Sequence, residues 1–182
     1  MTIPAPTRVA PACPTISASP TRACPLARKS SIMTPASRFE KFIKGDEVYG
    51  IILDMPVAEN VIATLVAYIN GAANIHYNNG LEYVGAAKKY LDVVKAANLY
   101  VQYANEIFDR AERVAYFDLP KSREYTAYFL TAKGIYRYAY VPSELAKDDE
   151  KGRIFHFGCR NLMRELHEAQ LKDRNAAEKK ES

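Results

Sequence analysis

The chain has 182 residues, with 25 Lys plus Arg against 21 Asp plus Glu and three cysteines. Five of the bases (Arg8, Arg22, Arg28, Lys29, Arg38) and none of the acids precede Glu40, so the remainder is close to neutral, which excludes broad electrostatic attraction to nucleic acid. Cys13, Cys24 and Cys159 are too few and too scattered for a disulfide framework or a paired zinc motif.

Residues 1–36 are rich in Pro, Ser, Thr, Ala and Arg, a composition that cannot build a core. It resembles an organellar transit peptide, which is basic, hydroxylated and poor in acids. Pro4, Pro6, Pro11, Pro14, Pro20 and Pro25 oppose the long amphipathic helix of a mitochondrial presequence. The expected address is therefore the chloroplast, in the stroma or on the stromal face, with the mitochondrion as the alternative. The expected organisation is a disordered leader over 1–36, one domain over 37–175 and a frayed tail over 176–182.

Ser37-Arg38-Phe39-Glu40 has the spacing of a capping box and predicts a short helix to about Lys44. Val48 to Leu53 is a brief apolar run that fits an extended segment or a further helical turn. Asp54-Met55-Pro56 then reads as a helix entry, with Asp as the cap and Pro in the first turn. From Pro56 to Tyr77 the sequence is apolar almost all round, which predicts a central helix. Glu59, Asn60, Asn70 and Asn74 interrupt it too often for a membrane span of about twenty residues. Peripheral membrane association stays open.

Asn78-Asn79-Gly80 marks a turn. On a seven-residue repeat from Tyr83, the first and fourth positions read Tyr83, Ala86, Tyr90, Val93, Ala97, Tyr100, Ala104, Ile107, Ala111 and Val114, predicting one long helix over Leu81–Phe117. A third helix is predicted from Ser122, carrying Tyr125, Tyr128, Phe129, Ala132, Ile135, Tyr136 and Ala139. Its end also alternates Tyr136, Tyr138 and Tyr140, the pattern of a short strand. After the charged connection Ser143–Gly152, a fourth helical stripe follows at Phe155, Cys159, Leu162, Met163, Leu166 and Ala169. The expected fold is all-α, an antiparallel four-helix-type bundle around the long central helix.

No catalytic constellation emerges, and no cofactor or metal site is expected. The Glu-x-x-His pairs of a di-iron bundle are absent, and His156-x-x-Cys159 with His167 lacks the further ligands a zinc site needs. Asp148-Asp149-Glu150 reads as solvated charge. The best partner-binding patch is Tyr136, Arg137, Tyr138 and Tyr140, because Tyr and Arg are enriched at interface hot spots. The expected role is a non-enzymatic accessory subunit or assembly factor of a larger organellar complex, first a plastid photosynthetic one. The alternative is a small helical ligand carrier or enzyme with a pocket between helices lined by Tyr, where Arg113, Arg123 or Arg137 reads an acidic group.

Overall fold

Residues 48–68 hold two stretches of β-branched and aliphatic side chains separated by Glu59-Asn60, and the chain turns back on itself there, with Asn60 at φ 59°. In a computed structural model, which describes residues 36–39, 43, 45 and 47–181, the two stretches are strands β1 (Gly50–Ala58) and β2 (Val61–Tyr68). They pair antiparallel, with Leu53 level with Leu65 and Asp54 with Thr64. Next come β3 (Ala73–Tyr77), β4 (Glu82–Tyr83), helix α1 (Leu91–Glu106), β5 (Glu112–Val114), β6 (Tyr125–Thr131), β7 (Gly134–Tyr140) and helix α2 (Glu150–Glu181). Among the described residues the strands form one seven-stranded sheet of order β4-β3-β2-β1-β6-β7-β5, and every pairing in it is antiparallel.

The expected all-α bundle is thus corrected to an antiparallel sheet with two helices, and three particular errors account for it. The stretch Pro56–Tyr77 is the end of β1, all of β2 and β3, not a helix. Its continuous apolarity arises because β2 is covered on both faces. Ala63, Leu65 and Ala67 face the helices, while Val66 and Tyr68 face a second apolar cluster, so the alternation of a half-exposed strand is erased. The Leu81–Phe117 helix shrinks to the sixteen residues of α1. Within that span the predicted seam is buried as expected at Val93, Ala97, Tyr100 and Ala104. Before it lie β4 and a short 3-10 turn at Ala86–Lys88, entered through Gly85 at φ 79°; after it lie a second such turn at Phe108–Arg110 and β5. The third helix is the β6–β7 hairpin, and the alternating tyrosines of β7 are the strand pattern prevailing over the helical one. The fourth stripe is helical, as α2.

Among the described residues no helix is long and apolar enough to cross a membrane. Where the capping box was expected, Ala36–Phe39 forms a 3-10 turn; Glu40 and residues 1–35 of the leader expected over 1–36 lie outside the described residues.

Both helices pack on one face of the sheet, and they lie against each other because the contact is built from small residues. Ala96, Ala97 and Ala104 line α1, and a Cβ on Gly158 of α2 would sit 2.7 Å from the Tyr103 ring. Buried between helices and sheet are Tyr100, Phe129, Tyr138, Tyr140 and Phe155. The far end of α2 is tied to the start of α1 by Asp173, which accepts from the hydroxyls of Tyr90 (2.8 Å) and Tyr83 (3.0 Å) and from Lys89 Nζ (3.0 Å). These three donors hold the Asp173 carboxyl below its ordinary value, the Tyr90 hydroxyl most strongly. At the other end, Asp149 caps α2, accepting from the Gly152 N–H at 2.9 Å and from Arg110 at 2.8 Å, so one of the acids read as solvated charge is the N-cap of the helix.

The other face of the sheet carries its own apolar half. Phe39 stacks on Tyr49 and Tyr68, with centroids 5.1 Å apart in each case, and Phe117 meets Tyr128 edge-on at 4.8 Å. The Tyr128 hydroxyl accepts from the Asp118 N–H (2.7 Å) and donates to the Asp118 carbonyl (2.8 Å), fixing the β5–β6 connection onto the sheet.

Candidate functional site

A strand turns successive side chains to opposite faces, and this decides the fate of the predicted partner patch. Tyr136, Tyr138 and Tyr140 of β7 point toward the helices, while Arg137 points to the opposite face, so the four residues do not share one surface. Tyr138 and Tyr140 are buried, and Tyr136 packs edge-on against Phe108 at 4.7 Å. Arg137 pairs with Glu112 (2.9 Å) and Glu124 (3.2 Å). Of the other arginines expected to read an acidic group, Arg113 donates to the Lys133 carbonyl at 3.0 Å, and Arg123 sits in a turn with φ 64°.

On the face of the sheet opposite the two α-helices, a polar row crosses four adjacent strands. His76, Thr64, Asp54 and Thr126 lie level by register on β3, β2, β1 and β6. Thr64 Oγ1 donates to Asp54 Oδ1 at 2.8 Å, and His76 Nδ1 lies 3.1 Å from Glu82 Oε2. With strands about 4.8 Å apart, His76 and Asp54 are about 10 Å from each other, too far for direct proton exchange. Asp54, Thr126 and His76 are buried; the Thr64–Asp54 bond ties β2 to β1, and the His76–Glu82 contact ties β3 to β4. Sequence reasoning missed it, since Asp54 and His76 fell on segments read as helical.

Between helices and sheet lies a second set of polar groups. His156 Nδ1 is 3.3 Å from the Tyr140 hydroxyl. Burial pushes Tyr140 far above the ordinary tyrosine range, so it keeps its proton and donates it; burial first, then Arg160, hold His156 below its ordinary value, which suits it to accept. Burial also pushes the Cys159 thiol up to about 12, and its sulfur meets Met55 Sδ at 3.7 Å. Cys159 is thus a buried thiol, His156 is occupied by Tyr140, and His167 is exposed. Among the described residues no group of three or more His, Cys, Asp or Glu side chains is placed to hold a metal ion. The Tyr100 hydroxyl is fully buried and has no hydrogen-bond partner among the described residues. Tyr100→Phe should therefore raise the free energy of unfolding by about 1–2 kcal/mol, as the penalty of an unsatisfied buried hydroxyl disappears. Urea titration of the two proteins measures this, and a loss of more than about 1 kcal/mol on the same scale would show that the hydroxyl is satisfied in solution.

The outward side of the helix pair has a different character. Leu91 and Leu99 of α1 and Phe157 and Leu171 of α2 are exposed there, Phe157 to 60%. Two open recesses follow the line where the helices meet. One, of about 440 Å³, is lined by Tyr103, Glu106, Glu150, Arg153, Ile154 and Phe157. The other, of about 300 Å³, is lined by Asp92, Lys95, Ala96, Leu99, Asn161, Arg164 and Glu165. Large apolar side chains set among charges of both signs are what a contact surface for another protein presents. The signal in the sequence was Phe157, which stands between two buried positions, Phe155 and Cys159, yet projects the other way along the helix.

The chain is defined at the level of class as an α+β protein with a two-helix layer on one face of an antiparallel sheet. No protein-family model matches it, and the searches of curated proteins and of solved structures return no match.

Proposed function

We propose that the protein is a non-enzymatic accessory subunit or assembly factor of an organellar complex, with a plastid photosynthetic complex as the first candidate, and that it binds through the outward side of α1 and α2. The observation that carries this reading is Phe157, exposed at the edge of a recess beside Ile154, Tyr103 and Arg153. An aromatic anchor with an Arg at its side is the residue pairing that dominates interface energetics. The chloroplast address rests on the acid-free, Pro- and Ser-rich composition of residues 1–36.

The test is affinity purification of the tagged full-length protein from its native cells, in wild-type form and as Leu99→Glu and Phe157→Glu. Recovery of specific partners should fall by at least about tenfold in both variants, the equivalent of about 1.4 kcal/mol. Their melting should stay close to wild type, because both side chains are exposed. Undiminished recovery would place the partner surface elsewhere.

A further inference from the structure

Along α2 the exposed residues Phe157, Arg160, Arg164, Glu168 and Leu171 follow one another at three- and four-residue steps, a single stripe on the side away from the sheet. The stripe reads as a palindrome. Pairing α2 antiparallel with a copy of itself about a two-fold axis at Arg164 sets Phe157 level with Leu171 of the second copy, and Arg160 level with Glu168. Both matches then occur twice, as an isologous contact requires.

Arg160 and Glu168 form no ion pair within the chain among the described residues. They are eight positions apart on one helix, about 12 Å by the helical rise, so they do not reach each other within a chain. Arg164, which meets its own copy at the axis, already donates to Glu165 (2.8 Å) and Asn161 (2.7 Å), so its charge is compensated locally.

We propose that this stripe is a homodimer contact, in which two copies of the chain pair through antiparallel α2 helices, with Phe157 on Leu171 and Arg160 on Glu168 at both ends. This rests on the reading of the helix pair's outward side as the working surface, and it names the first partner of that surface as a second copy. The stretch from Phe157 to Leu171 spans about 21 Å of helix, which puts the contact at the small end of specific interfaces, where weak and transient association is found.

The test uses the full chain in sedimentation velocity between about 1 and 200 µM, the range over which a weak micromolar dimer dissociates. Wild type should pass from monomer to dimer. Arg160→Glu and Glu168→Arg, each alone, oppose like charges across the axis and should weaken self-association by at least about tenfold. In an equimolar mixture of the two variants, one end of the mixed dimer carries the charge pair reversed and the other end keeps the native Arg160 with Glu168. Opposite charges then face each other at both ends, and the mixture should restore a dimer within about threefold of wild-type affinity, a difference of under about 1 kcal/mol. Thermal melts of both variants check that each is folded, and Phe157→Glu supplies an independent monomeric form. A wild type that stays monomeric throughout, or folded variants whose mixture remains monomeric, overturns the dimer. A monomeric wild type whose Phe157→Glu form still loses its native partners overturns only the second copy. A dimer restored by mixing, with partner recovery indifferent to Phe157, instead moves the partner surface off the outward side of the helix pair and keeps the dimer.

Discussion

Phe155→Ala should lower the free energy of unfolding by about 3–5 kcal/mol. Phe155 has no solvent exposure and lies where α2, α1 and the sheet converge. Its ring centroid is 4.9 Å from that of Tyr100, 5.6 Å from Phe129, 5.8 Å from Tyr138 and 6.0 Å from Tyr140, and most of these contacts are edge-to-face. Truncation removes the buried apolar surface and leaves a void that four rigid rings cannot fill by small shifts. Phe155→Leu keeps most of the volume and should cost well under half as much. Chemical denaturation of the three proteins decides the matter. A cost below about 1 kcal/mol for the alanine variant, far under the usual range for such truncations, would mean that α2 does not dock on the sheet through this residue.

The second large effect is expected at Gly71. This residue turns the chain between β2 and β3 at φ 83°, a backbone region that costs a residue with a side chain about 1–2 kcal/mol. It also abuts α1: an added Cβ would overlap the Val94 side chain and approach Val94 Cα to 3.2 Å. Overpacking of this kind adds about 1–3 kcal/mol, for a total of about 2–5 kcal/mol in Gly71→Ala. The two contributions separate in a cycle with Val94→Ala. In that background most of the overlap is gone, and the remaining cost should approach the backbone share of about 1–2 kcal/mol. Equal costs in both backgrounds would show that α1 does not rest on this turn.

The same two sites explain how much of the fold was legible in the sequence. Helical periodicity identified α2, and within the long heptad run it identified the buried side of α1, because both helices have one face on the sheet and one in solvent. The strands were hidden by being covered twice. In β1, Ile51, Leu53 and Met55 face the helices, while Ile52 faces the cluster of Phe39, Tyr49 and Tyr68, so apolar residues follow one another without a polar beat. In β6, Tyr125, Ala127 and Phe129 alternate with Thr126, Tyr128 and Leu130, which are also buried, and the aromatic spacings satisfy a helix as well as a strand. Asn70-Gly71 was the best available signal against the Pro56–Tyr77 helix, since a turn there splits it into strand-sized pieces.

The candidate surface was legible only in part. The tyrosines of β7 are conspicuous by composition, but strand alternation sends them into the core and Arg137 to the opposite face. Phe157, Arg160, Glu168 and Leu171 attract little notice singly. Their meaning comes from lying on the side of α2 that neither the sheet nor α1 covers, and coverage is a property of the assembled fold.

The most direct measurement of the outward helix face as the binding surface is site-specific photocrosslinking in native cells, with a photoreactive residue at position 157 and, as a control, at Val57 on the β1–β2 hairpin, which is also exposed. Crosslinks to a discrete partner, whether a second copy or another subunit, are expected from position 157 and not from position 57. Equal crosslinking from both positions, or crosslinks from position 57 alone, would contradict the assignment.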